Sequence, residues 1–138
     1  MRKYDTATDD LTALDFSPPG ANTDDEAPVP VFTVTNPPGT VAVTVLLDGR
    51  VKRIELGSGV TDLTEQELAD EIVVIAGLAT QEAKSAQYTF MLDGMREQGH
   101  DDAATRDFLT RDLDLPTPEQ VRTARAHVFA TRYSGDHV

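Results

Sequence analysis

The chain has 138 residues and no cysteine, and its 24 acidic residues outnumber its 12 lysines and arginines, giving a formal net charge of −12. This composition excludes a disulfide framework, a cysteine-bound metal and a thiolate nucleophile, and the charge opposes binding to nucleic-acid phosphates. Hydrophobic residues make up 39% of the chain and aromatic residues 6%, which predicts one domain with a modest core and polar ends.

The first 28 residues are predicted to form a disordered acidic arm. They contain Asp9-Asp10 and Asp24-Asp25-Glu26, and they hold too few large apolar side chains to offset the entropy cost of ordering. An apolar island at residues 11–16 has two interpretations, a docking peptide for a partner or an incidental patch in a tail, and the second is favoured.

Neither a signal peptide nor a membrane span is expected. The basic residues at the N-terminus are not followed by an apolar segment of the kind that secretory signal peptides contain. Every apolar run in the chain is shorter than the roughly 18 residues that a membrane-spanning helix needs. We therefore expect no membrane insertion.

Three short alternating segments, residues 32–34, 41–45 and 51–56, predict a three-stranded antiparallel sheet. Asn36-Pro37-Pro38-Gly39 and a two-residue turn at Asp48-Gly49 connect them. Counting back from the two turns predicts that one face carries the opposed pairs Phe32–Val43, Val34–Val41, Val43–Ile54 and Val41–Leu56.

A long helix is predicted from the capping box Thr64-Glu65-Gln66-Glu67 to Met95, with Asp93-Gly94 fraying or ending it. Its apolar residues form more than one row at three-four spacing, and alanines in the middle of the main row let another backbone approach closely. A small sheet covers one face of a helix, so the C-terminal helices or another chain must cover the rest. The candidate interface comprises Ile72, Ile75, Ala79, Ala83, Ala86 and Phe90, with Val74 and Leu78 in a second row.

Two short helices are predicted at the C-terminal end. Asp101 or Asp102 can cap a helix that ends before Leu115-Pro116, and Thr117-Pro118-Glu119-Gln120 can begin the next. The first carries Phe108, Leu109 and Leu113, and the second has a predicted buried face of Val121, Ala124, Val128 and Phe129. The fold class is therefore α+β, with one domain at residues 29–133 and a frayed tail at residues 134–138.

The sequence does not indicate catalysis or a cofactor. The histidines His100, His127 and His137 lack the spacing of metal ligands, and a solvated loop is favoured over a weak metal site at His100-Asp101-Asp102. Gly57-Ser58-Gly59 lacks the lysine of a phosphate-binding loop. We therefore expect a protein that is not an enzyme, holds no metal or cofactor, and works by binding other proteins.

Six segments carry a resemblance to a known family: residues 32–40, 47–50, 67–72, 86–90, 115–119 and 128–133. They closely resemble the EspD and EspH proteins, mycobacterial proteins associated with type VII (ESX) secretion. The resemblance implies an accessory or chaperone-like adaptor whose partners are ESX substrates. Some family members are themselves exported, but this chain does not match the export signal, so a cytoplasmic helper is favoured. Export signals of this pathway place an acid at a fixed spacing after a tyrosine, and Asp136 does not have that spacing from Tyr133.

More distantly, the succession of strands and long helix resembles the YbaB/EbfC fold of small bacterial nucleoid-associated proteins. This second resemblance implies a homodimer, or a heterodimer with a YbaB-like partner, and an alternative function in DNA binding. The net charge of −12 opposes that alternative, because non-specific DNA affinity comes from cations that meet phosphates. The basic cluster at residues 50–53 is too small to neutralise a run of phosphates. We therefore expect no nucleic-acid partner.

Overall fold

The computed structural model describes residues 29–133. Its elements are strands β1 (Val31–Thr35), β2 (Val41–Leu46) and β3 (Val51–Leu56), a 3-10 turn (Ser58–Asp62), helix α1 (Glu65–Glu97), helix α2 (Asp102–Asp107) with a following π-helical turn (Phe108–Asp112), and helix α3 (Pro118–Arg132). The predicted α+β class is confirmed, with a three-stranded antiparallel sheet in the order β1-β2-β3. The predicted arm at residues 1–28 and tail at residues 134–138 lie outside the described residues.

The register of β1 against β2 differs from the prediction by two residues. The connection is longer than a tight turn, because the backbone amide of Asn36 donates to the Val41 carbonyl at 3.0 Å and Gly39 takes a φ of +76° between them. A slip of two residues leaves each side chain on its predicted face, so the apolar face is preserved. The observed pairs on that face are Phe32–Val45 and Val34–Val43.

The β2–β3 hairpin departs from its predicted geometry twice, and the two departures cancel. Its turn has three residues rather than two, since the Leu46 amide donates to the Arg50 carbonyl at 2.8 Å and Gly49 has a φ of +90°. A bulge then shifts the register back between Thr44 and Val45. Beyond the bulge the predicted pairs Val43–Ile54 and Val41–Leu56 are confirmed, and before it Val51 lies opposite Val45.

The core lies between α1 and the first two strands. Val41, Val43 and Val45 of β2 have no exposed surface, and neither have Ile75, Ala79 and Ala83 of α1. The alanines keep α1 close to the sheet, because their side chains end at Cβ. The buried core cluster is completed by Val34 and Leu78.

Both ends of α1 are closed by side-chain or backbone hydrogen bonds. The predicted capping box is confirmed, with the Thr64 hydroxyl accepting from the Glu67 amide at 3.0 Å. The predicted end at Asp93-Gly94 is wrong, because the helix continues to Glu97 and ends where Gly99 takes a φ of +90°. One glycine inside a helix costs only about 1 kcal/mol, which packing beyond it can offset. Tyr88 and Leu92, just before Gly94, pack against Leu109 and Leu115. Beyond Gly94 the Arg96 guanidinium donates to the Asp102 carboxylate at 2.7 Å.

The helix caps predicted near the C-terminal end are found in the structure, whereas one residue predicted to be buried there is exposed. Asp101 caps α2 by accepting from the Ala104 amide at 2.8 Å. Thr117 and Gln120 form a capping box at the start of α3. The predicted burial of Ala124 is wrong, since this residue is exposed. The side of α3 that faces α1 passes instead through Arg125, whose guanidinium lies 2.7 Å from the Glu82 carboxylate.

We expect Ala79→Glu to destabilise the fold strongly. The substitution places a carboxylate in a position with no exposed surface, and an uncompensated buried charge costs about 3–5 kcal/mol. The melting temperature should fall by about 10 °C or more in a circular-dichroism melt. Ala69→Glu, at an exposed position of the same helix, is the matched control and should melt near the wild type. Equal melting of both variants would contradict the placement of the alanine row.

Candidate functional site

The predicted interface on α1 divides into buried and accessible residues. Ile75, Leu78, Ala79 and Ala83 pack against the sheet of the same chain. Partial burial is found at Ile72, Val74 and Ala86. Phe90 is 65% exposed and lies in the last third of the helix. The accessible end of the predicted interface is therefore the segment around Phe90, and its contact with a partner stays a prediction.

An open apolar groove of about 610 Å³ lies beside Phe90, and we call it the Phe90 groove. It forms where the hairpin tip approaches α1, and the Gln87 amide fixes this approach by donating to the Leu47 carbonyl at 2.7 Å. Asp48 and Arg50 form an ion pair of 2.8 Å at the hairpin tip. The remaining lining is mainly apolar and consists of Val29, Pro30, Leu46, Leu47 and Met91.

A second apolar concavity of about 380 Å³ adjoins the Phe90 groove through the shared residue Met91. Gly94 contributes no side chain there, which leaves room between α1 and the π-helical turn. That turn presents Phe108, 44% exposed, and Leu113, 41% exposed, follows it. The two concavities together make one apolar surface along the C-terminal third of α1.

The sequence prediction missed part of this surface. Met91, Phe108 and Leu113 are not part of the predicted interface, because the sequence leaves open whether the C-terminal helices or another chain covers the remaining apolar rows of α1. Burial in the structure goes to Leu109, which is 1% exposed, whereas Phe108 beside it is 44% exposed. The available signal was Met91 beside Phe90. Methionine adapts its shape and is frequent at surfaces that accept varied partners.

A polar cluster centred on Glu71 lies near the other end of α1. The carboxylate of this buried residue accepts from the side-chain amide of Asn36 at 2.6 Å, from the Arg132 guanidinium at 3.0 Å and from the Tyr133 hydroxyl. The Asn36 side chain also accepts from the amide of Val41 at 3.0 Å. The cluster thus ties the β1–β2 connection, α1 and the end of α3 together.

The pKa shifts in this cluster have opposite directions. Burial raises the pKa of Glu71, but hydrogen bonds from Tyr133, Asn36 and Arg132 outweigh it and leave the pKa below its ordinary value of 4.5. Burial, together with the hydrogen bond to Glu71, raises the pKa of Tyr133 to about 12. A carboxylate so fully hydrogen-bonded is a poor general base, so the cluster acts as a structural link between elements.

Further chemistry is limited within residues 29–133. In this range no group of three or more histidine, cysteine, aspartate or glutamate side chains is placed to hold a metal ion. None of the helices in the described part of the chain is long and apolar enough to cross a membrane. The arrangement that remains is an apolar surface suited to contact with another molecule.

The chain is similar to two named proteins of Mycobacterium tuberculosis. It is 45% identical over 137 residues to the ESX-1 secretion-associated protein EspH of strain ATCC 25618 / H37Rv, with 96% of this chain and 73% of that protein covered. It is 48% identical over 127 residues to the ESX-1 secretion-associated protein EspD of strains CDC 1551 / Oshkosh and ATCC 25618 / H37Rv. In both cases 89% of this chain and 69% of that protein are covered. No family model and no solved structure matches the chain, so the likeness to the YbaB/EbfC fold stays a prediction.

The Glu71 cluster predicts loss of stability at both extremes of pH. The lowered pKa of Glu71 contributes stability above about pH 4.5, and this is lost as the pH falls through the folded-state value. The raised pKa of Tyr133 contributes stability below pH 10, and this is lost as the pH rises from 10 towards 12. Chemical denaturation at pH 3–7 and at pH 9–12 measures both limbs.

Two variants separate the limbs. Glu71→Gln should cost about 1–3 kcal/mol at pH 7 and flatten the acid limb, because the charge that the hydrogen bonds stabilise is gone. Tyr133→Phe should flatten the alkaline limb. Asp70→Asn, an exposed neighbour on α1, is the control and should keep both. An unchanged pH profile in Glu71→Gln would show that the cluster is not linked to folding.

Proposed function

The chain belongs to the family of the ESX-1 secretion-associated proteins EspD and EspH, and on that basis we propose that it is a chaperone-like accessory adaptor of a type VII secretion system. It acts by association with other proteins and not by catalysis. Its proposed partners are substrates of the system, and its proposed location is the cytoplasm, where substrates are available before export. Export together with a client is the second possible fate.

The observation that carries this proposal is the exposed apolar surface around the Phe90 groove. Burying one Phe or Met side chain stabilises a protein by about 1.5–3 kcal/mol, and this chain leaves Phe90 65% and Met91 43% exposed. Contiguous apolar surface with a polar rim is characteristic of protein-interaction sites. A partner that covers these side chains would recover the missing stabilisation.

The shape of the surface favours an amphipathic helix as the bound segment. Apolar side chains lie at the floor of the Phe90 groove, and the charged pair Asp48–Arg50 lies among its lining residues. A helix with apolar residues at positions i, i+3 or i+4 and i+7 buries one stripe and leaves its polar face in water. We propose that a client of this system presents such a helix.

The DNA-binding alternative is disfavoured by how the chain uses its arginines. Seven arginines in the described part of the chain each lie within 4.0 Å of a carboxylate oxygen. They are Arg50, Arg96, Arg106, Arg111, Arg122, Arg125 and Arg132. A guanidinium that already faces a carboxylate must give up that partner before it can meet a phosphate. The acidic excess of the whole chain adds repulsion to this cost.

We expect Phe90→Glu to weaken client binding at least ten-fold while leaving the fold intact. The side chain is mostly exposed in the free chain, so the charge is solvated until a client covers it and must desolvate it. Val73→Glu is the matched control, because Val73 is an exposed apolar residue of the same helix outside the groove. Each ESX substrate of the native host is co-produced with the wild type, and co-purified pairs are measured by calorimetry.

Either of two results would contradict the proposal. A wild type that binds none of the substrates would remove the adaptor function. Equal binding of a substrate by Phe90→Glu and Val73→Glu would place the contact elsewhere on the chain.

We also expect no detectable shift of duplex DNA at about 0.15 M salt. Non-specific DNA binders have dissociation constants of roughly 10⁻⁴ to 10⁻⁶ M under such conditions, and they achieve this with a net positive face. A mobility-shift titration up to about 100 µM protein is the measurement. A sub-micromolar shift that weakens with salt and is lost in Arg50→Ala/Arg53→Ala would favour the nucleoid function instead.

A further inference from the structure

The outer strand β3 is an uncovered part of the sheet. Each of its residues is exposed, whereas β2 beside it carries three valines with no exposed surface. On the face that α1 packs against, β3 presents Val51, 50% exposed, Ile54, 42% exposed, and Leu56, 49% exposed. The same face of β1 and β2 is buried under α1.

Among residues 29–133 no strand pairs with the outer edge of β3. The Gly57 amide donates to the Thr40 carbonyl of the neighbouring connection at 2.8 Å. Hydrogen bonding alternates along an antiparallel strand, so Arg53 and Glu55 direct their backbone groups towards β2 and Ile54 and Leu56 direct theirs away. A row of outward N–H and C=O groups is a template for pairing with another strand.

The charges of β3 select the partner strand and its register. When β3 pairs antiparallel with β3 of a second copy, residues directly opposite each other lie on the same face of the sheet. Because side chains alternate between faces along a strand, the two-fold axis must pass beside a residue, which then lies opposite itself in the other copy. Centres at Lys52, Arg53 or Glu55 put like charges directly opposite, which is unfavourable. A centre at Ile54 places Arg53 of each copy opposite Glu55 of the other.

The two charged residues have no charged residue opposite them within the sheet. Arg53 lies opposite Thr44 and Glu55 lies opposite Ala42. Both side chains are exposed on the face away from α1. Pairing with a second copy across a two-fold axis would therefore place an opposite charge beside each of them, which pairing within the chain does not.

We infer that a second copy of the chain pairs with β3 along its edge, antiparallel and centred on Ile54. Two reciprocal Arg53–Glu55 pairs then lie on one face of a continuous six-stranded sheet. On the other face the two Ile54 side chains meet, and Leu56 of each copy lies opposite Lys52 of the other. This inference goes beyond client binding, because it concerns β3 and a like chain and not the Phe90 groove.

The expected association is modest. Pairing two short edge strands buries less than the roughly 1,200–2,000 Å² of a standard stable interface. Each cross-strand pair contributes only weakly, and Ile54 adds apolar burial. We therefore expect a micromolar dissociation constant and a dimer that forms as the concentration rises.

Sedimentation equilibrium of the purified full chain tests the inference without any client. The wild type should shift from its monomer mass of 15.0 kDa towards twice that value between about 1 and 500 µM. Arg53→Glu alone, or Glu55→Arg alone, puts like charges opposite across the axis and should weaken association at least ten-fold. The double variant Arg53→Glu/Glu55→Arg restores both pairs and should associate like the wild type.

Arg122→Glu, a charge reversal at an exposed position of α3, is the control and should leave association unchanged. Circular dichroism confirms that each variant is folded. A wild type that stays monomeric at 500 µM overturns the inference. So does a dimer that is insensitive to Arg53→Glu, because the contact would then lie elsewhere. A folded double variant that fails to recover association overturns the proposed register.

Discussion

The constraint on which this structure depends is the width of one helix laid across three strands. A helix with its side chains is about 10–12 Å across, and neighbouring strands lie about 4.8 Å apart, so one helix covers two strands well. In this chain α1 covers β1 and β2, and the valines of β2 are fully buried as a result. The outer strand β3 stays exposed, and α3 finds room on another side of α1.

The two ends of α1 serve different purposes because of this arrangement. The Glu71 cluster lies near its start and joins three elements through one carboxylate. The Phe90 groove lies 19 residues further along, which at 1.5 Å per residue is roughly 28 Å away. The buried polar link between elements lies near one end of α1, and the accessible apolar surface lies near the other. A partner can therefore bind around Phe90 without disturbing the link at Glu71.

The distribution of charge is consistent with this division. Most of the arginines in the described part of the chain face carboxylates of the same chain, and three of these pairs join separate helices. The surface then carries the acidic excess, which keeps the protein soluble and repels polyanions. An apolar groove on an otherwise acidic surface is suited to a protein client.

The sequence by itself determined the local features of this protein, because these depend on neighbouring residues. The capping boxes at Thr64 and Thr117, the three strands and the face that each apolar residue occupies follow from short-range hydrogen bonding and from the two periodicities of helix and strand. The resemblance to EspD and EspH was also carried by residues close in the sequence.

Only the tertiary structure decided where those local features meet. The longer turn at Gly49 and the bulge at Thr44 and Val45 shift the register of the hairpin in opposite directions. That these two shifts cancel is apparent only from the pairing of the two strands. The helix continues past Gly94, and its last turn is joined to α2 by the ion pair of Arg96 with Asp102. The alanine row is core and Phe90 is exposed because the sheet covers only part of α1. Such outcomes depend on contacts between distant residues, and local pattern holds no information on which of several apolar faces is covered.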